Sequence, residues 1–116
     1  MKFEQKGEVA LVRAEEVLIR DGSSAVELLA SVRYETGCSA VILRKEQLDE
    51  SFFRLSSGLA GEVLQKFTNY QMRLAIVGDF SHYTSEPLKD FIYESNKGTQ
   101  TGFWATEEEA LAWLSK

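Results

Sequence analysis

Cys38-Ser39-Ala40-Val41-Ile42-Leu43 is an apolar run with no polar–apolar alternation. A strand with one face in water alternates, whereas a strand covered on both faces does not. The run therefore predicts a central strand between two layers of other structure. Arg73-Leu74-Ala75-Ile76-Val77-Gly78 has the same character and predicts a second central strand. Thr101 to Ala105 reads as the last strand of the chain.

Around these runs the period changes to that of a helix. Ala25, Leu28, Leu29 and Val32 recur at helical spacing, with Ser24 and Glu27 matching a capping box and Gly37 as terminator. Asp49 to Phe67 reads as a helical region carrying Leu55, Leu59, Val63, Leu64 and Phe67 inward. Gly58, Ala60 and Gly61 near its start predict a close approach to the sheet. Leu88, Phe91, Ile92 and Ser95 form the next helical face, between a Ser85 cap and Gly98. Thr106 and Glu109 form another capping box ahead of Ala110, Leu111 and Leu114.

At the amino end, Lys2 to Arg13 reads as two strands joined by a turn at Lys6-Gly7. Val17-Leu18-Ile19 adds a short strand or an extended link. The order is ββ-α-β-α-β-α-β-α. The expected fold class is α/β: a small mixed sheet with parallel central strands, an N-terminal antiparallel hairpin, and helices packed on the sheet. Residues 1–116 read as one domain.

Composition narrows the function classes. The net charge is −5, and Arg44-Lys45 is the longest basic cluster. Phosphate backbones repel such a chain, so no nucleic-acid partner is expected. One cysteine, Cys38, and one histidine cannot build a thiolate-rich metal site, and no metal or cofactor is implied. Cys38 reads as a small buried hydrophobe. No apolar run approaches the roughly 20 residues of a membrane span, and Met1 to Gly7 lacks a signal-peptide core. The expectation is a cytoplasmic protein with no membrane partner.

Open parallel sheets bind ligands beyond the carboxyl ends of their strands. Arg44, Lys45 and Glu46 follow the first central strand; Asp79, Ser81, His82, Tyr83 and Thr84 follow the second. Ser56-Ser57-Gly58 opens a helix at the same edge, where free N–H groups favour an anion or a phosphorylated serine. For Ser56 and Ser57 a plain helix-capping role is the favoured reading. Asp79 and His82 are near neighbours in sequence, which also suits a solvated loop. Asp90 and Glu94 lie four apart on one helix face, with Asn96 beyond, and Lys89 and Lys97 nearby favour a solvated face. No catalytic constellation and no phosphate loop can be read from the chain.

Three blocks carry a family resemblance. They are Gly58-Leu59-Ala60-Gly61-Glu62-Val63-Leu64-Gln65-Lys66-Phe67, Leu74-Ala75-Ile76-Val77-Gly78-Asp79-Phe80, and Lys89-Asp90-Phe91-Ile92-Tyr93-Glu94-Ser95-Asn96-Lys97-Gly98. With them the chain resembles the bacterial family known as domain of unknown function 4180. That resemblance implies a small bacterial cytosolic protein and no particular activity. More distantly, the element order is similar to the STAS fold of anti-sigma factor antagonists. There a switch serine lies in an Asp-Ser-Ser-Gly-Leu motif. This chain has Leu55-Ser56-Ser57-Gly58-Leu59, which puts Ser57 at the phosphorylated position. Leu55 stands in place of the aspartate, and Arg44 to Arg54 intervene between strand and motif.

Two functional readings result. In the first, the chain is a non-enzymatic regulatory or protein-interaction module. Its working edge carries Ser56, Ser57, Asp79, Ser81, His82 and Tyr83 and takes a protein partner or a small anionic ligand. In the second, it is a small-ligand-binding protein or small enzyme using Asp79, His82, Asp90 and Glu94. A homodimer through the exposed hairpin edge is a further expectation.

Overall fold

The computed structural model describes residues 1–116. Strands β1 (Lys2–Lys6) and β2 (Val9–Arg13) form an antiparallel hairpin. Its loop is Gly7-Glu8, and Gly7 has φ +63°. Glycine is required there because the first central residue of such a loop is left-handed, so that its twist matches the strands. Strands β3 (Ala40–Arg44), β4 (Arg73–Val77) and β5 (Thr101–Trp104) then add in parallel. The spatial order β1-β2-β3-β4-β5 is the chain order.

That order fixes the layers. Each crossover steps the same way across the sheet. Right-handed crossovers therefore put α1 (Gly22–Thr36), α2 (Leu59–Asn69) and α3 (Glu86–Lys97) on one face. Ala10, Val12, Val41, Leu43, Leu74, Ile76 and Phe103 meet them in the larger core. The alternate residues Val9, Leu11, Ala40, Ile42, Ala75 and Val77 point the other way and are covered by α4 (Glu107–Leu114), through Ala110, Trp113 and Leu114. Burial on both faces explains why the central runs do not alternate. Cys38 is buried within the larger core.

The helix ends correct two expectations. Asp21, not Ser24, caps α1: its carboxylate accepts from Ser24 N, and Ser24 Oγ accepts from Asp21 N. The box is thus shifted by one turn's worth of residues, and Glu27 takes no part in it. The region from Asp49 is not one helix. It forms short 3₁₀ turns at Glu50–Phe53 and Leu55–Ser57, after another at Lys45–Gln47, and α2 starts only at Leu59. Gly58, with φ +80°, breaks the path between them. Gly61 is exposed, and a Cβ added there would touch nothing within 4 Å, so it makes no close approach to the sheet.

One buried polar side chain holds this irregular segment. Gln47 is wholly buried; it donates to Val12 O and Ala14 O and accepts from Arg44 N. Beside it, Leu18 N and Ile19 N donate to Gln47 O, and Asp49 N donates to Ile19 O. The Val17-Leu18-Ile19 stretch is therefore an extended link with a single parallel bridge, Ile19 to Leu48.

Candidate functional site

Beyond the carboxyl ends of β3 and β4 the chain runs through two irregular segments, each set by an aspartate. Asp49 accepts from Ser51 N at 3.0 Å and so caps the Glu50–Phe53 turn. Asp79 Oδ1 accepts from Ser81 Oγ at 2.6 Å and Ser81 N at 2.9 Å. The aspartate bonds its own backbone two residues on, which folds the loop locally. In both cases the serine hydroxyl, then the serine N–H, holds the carboxyl below its ordinary value.

Lys45 joins the segments. A Cβ at Gly78 would lie 2.7 Å from Lys45 Cβ, so only glycine lets the two pass. Lys45 Nζ donates to Asp79 O at 3.1 Å, lies 3.4 Å from His82 Nε2, and sits 5.1 Å from the centre of the Tyr83 ring. The His82 and Tyr83 rings are 4.2 Å apart, and Tyr83 stacks on Phe53 at 5.3 Å. The Tyr83 hydroxyl donates to Glu50. Burial, reinforced by that carboxylate, raises the Tyr83 phenol above its usual range.

Between these segments lies a groove of about 390 Å³. Phe53, Leu55, Tyr83 and Pro87 give it apolar walls; Glu50, Arg54, Ser56 and Ser85 give it polar ones. Ser85 also caps α3, accepting from Leu88 N. Ser57 lies beside the groove's Ser56 and is engaged twice: its hydroxyl donates to Ser51 O at 2.6 Å and accepts from Leu59 N at 3.2 Å, at the start of α2.

The residues singled out from sequence therefore divide. Ser56 and Tyr83 line the groove, Ser57 adjoins it, and Asp79, Ser81 and His82 form the neighbouring loop. Arg44 and Lys45 diverge: Arg44 donates to Ala14 O at 2.8 Å, away from the loop that Lys45 holds. Asp90 and Glu94 are exposed on α3, and Glu94 pairs with Lys97 at 3.5 Å. Neither lines the groove. Asn96 turns to the sheet, donating to Phe103 O and accepting from Phe103 N. No three His, Cys, Asp or Glu side chains converge in a way that could hold a metal ion. Glu50, Phe53, Arg54 and Pro87 were not apparent as groove residues from sequence; the Asp49-Glu50-Ser51 turn signal was the available clue.

Fold and groove together define a STAS-like α/β domain with an open cleft at the carboxyl edge of its sheet. The chain belongs to the family described as Domain of unknown function (DUF4180), whose model matches residues 4–114. None of the curated protein sequences is similar to it. Among solved structures, it is similar to a candidate anti-sigma factor antagonist of Thermotoga maritima. The TM-score is 0.53 at 15% identity, over 99% of this chain and 94% of the other. At that identity the likeness concerns the fold alone. No helix is long and apolar enough to cross a membrane.

Proposed function

We propose that the protein is a non-enzymatic regulatory module that recognises a protein partner through the Phe53–Tyr83 groove. The observation that carries this reading is the groove itself. It offers stacked aromatic rings beside the Tyr83-bonded carboxylate of Glu50 and one arginine, Arg54, at the sheet edge that also bears Ser56 and Ser57. Aromatic anchors with a charged surround suit protein recognition. Ser57 is the residue through which a phosphate would act, because its hydroxyl ties the start of α2 to Ser51. In such a role the protein works in the bacterial cytoplasm, where the buried Cys38 stays reduced. The enzyme reading has less support. Asp79 is committed to Ser81, His82 faces an ammonium group, and Asp90 and Glu94 lie outside the groove.

Site-specific photocross-linking tests the proposal. A photoreactive residue replacing Ser56 should capture one protein in the native cell, and the same residue replacing the exposed Tyr34 should not. Capture should fall in a Tyr83→Ala background. Equal capture from both positions, or none from Ser56, overturns it.

A further inference from the structure

The two edges of the sheet are treated differently. At β5 the Asn96 amide takes both outward groups of Phe103, donating to its carbonyl at 3.0 Å and accepting from its N–H at 2.6 Å. A neighbouring strand would make those same two bonds, so Asn96 closes that edge. At β1 nothing comparable exists. No backbone hydrogen bond outside the hairpin engages Lys2 to Lys6. Pairs alternate from the loop outward, and Lys6–Val9, Glu4–Leu11 and Lys2–Arg13 face each other inward. Phe3 and Gln5 therefore point their N–H and C=O groups away from the sheet.

The side chains on this strand are self-complementary. Lys2, Glu4 and Lys6 share the α4 face, opposite Arg13, Leu11 and Val9, while Phe3 and Gln5 share the other. Edge lysines usually repel a second strand. Here the glutamate between them makes the outcome depend on register. An antiparallel copy centred on Glu4 would oppose glutamate to glutamate and lysine to lysine. Centred on Phe3, it opposes Lys2 of each copy to Glu4 of the other, in the closer, non-hydrogen-bonded pairs, with Phe3 against Phe3 in the bonded pair.

We infer that β1 pairs with β1 of a second copy of this chain, antiparallel and centred on Phe3, joining two five-stranded sheets into one. The occupant is a second copy because the charge pattern is complementary to itself in that register. The contact is small, so the dimer is weak and concentration-dependent. It leaves the groove on each copy free and is independent of the function proposed above.

Sedimentation velocity over a concentration series up to about 1 mM tests this. The wild type should pass from monomer to dimer. Glu4→Lys and Lys2→Glu should each weaken the dimer about tenfold or more, by opposing like charges, and an equimolar mixture of the two should restore it. Lys6→Glu should change it little, because Lys6 lies outside the Lys2–Glu4 pairs that define this register. Gln5→Pro, which removes an outward N–H and no hairpin bond, should abolish it. A wild type monomeric throughout, or a mixture that stays monomeric, overturns the inference. So does a dimer sensitive to Lys6→Glu and indifferent to Lys2→Glu.

Discussion

The Tyr83 hydroxyl donates to the Glu50 carboxylate at 3.0 Å, tying the loop after β4 to the 3₁₀ segment after β3 across the groove. The bond is largely exposed, so Tyr83→Phe should cost only about 1 kcal/mol or less. The local effect should be larger. Amide exchange in residues 50–57 and 79–84 should quicken while the β3 and β4 amides keep their protection. Unchanged exchange in both loops would show that stacking on Phe53 and the Lys45 contacts hold them without this bond.

Ser57 bonds a carbonyl on one side and a helix N–H on the other. Ser57→Ala should lose both and fray the first turn of α2, costing about 1 kcal/mol. Ser57→Asp keeps an acceptor for Leu59 N but sets a charge against Ser51 O. The two variants should therefore differ in partner capture through the groove. If both match the wild type in capture and stability, the switch role of Ser57 fails.

Gln47→Leu should be among the most damaging single changes. It removes the Gln47 bonds to Val12 O and Arg44 N in a buried site and leaves Ala14 O with only its bond from Arg44. The expected loss is about 3 kcal/mol or more in urea unfolding, against under about 0.5 kcal/mol for an exposed control such as Glu35→Gln.

Glu107 and Arg13 form a two-pronged ion pair, to which Glu4 adds a second carboxylate. Hydrogen bonding to Arg13 holds the Glu107 carboxyl below its ordinary 4.5. A carboxyl lowered in the folded state stabilises fully above its unfolded value, and that stability drains as pH falls through the folded one. The wild type should therefore lose more stability than Glu107→Gln as pH is lowered from 6 to the acid limb, and the two curves should converge there. Parallel curves would remove Glu107 from the acid response.

Asn96→Ala should leave Phe103 with two unpaired backbone groups, costing about 1–3 kcal/mol. It should also uncover the β5 edge. Light scattering on concentrated samples should then show association that Gln5→Pro, at the opposite edge, does not suppress.

What was legible in the chain follows from how local each cause is. The apolar runs at Ala40–Leu43 and Arg73–Val77, the stripe Ala25, Leu28, Leu29, Val32, and the caps at Ser85 and Thr106 depend on neighbours in sequence, and the structure keeps them. The stretch from Asp49 to Ser57 has helical apolar spacing too, yet it breaks into 3₁₀ turns. Asp49 bonds Ser51 locally, Gly58 adopts a left-handed turn, and Gln47 pins the preceding link to β2. That last tie spans 35 residues, and no local pattern announces it. Asn96 was similarly opaque: its polar character suggested a solvated face, whereas its partner is the backbone of the next strand. The groove was half visible. Tyr83 and Ser56 stood out in their loops, but Phe53 and Pro87 join them only once both segments are folded.

One helix, α4, covers the second face of the sheet, and a ribosome makes it after every strand it covers. Until Trp113 and Leu114 have emerged, Leu11, Ile42 and Ala75 stand bare on that side, however well the first face has closed. A chain stalled or nicked ahead of Glu107 thus displays what chaperones and proteases recognise, and a chain with α4 in place hides it.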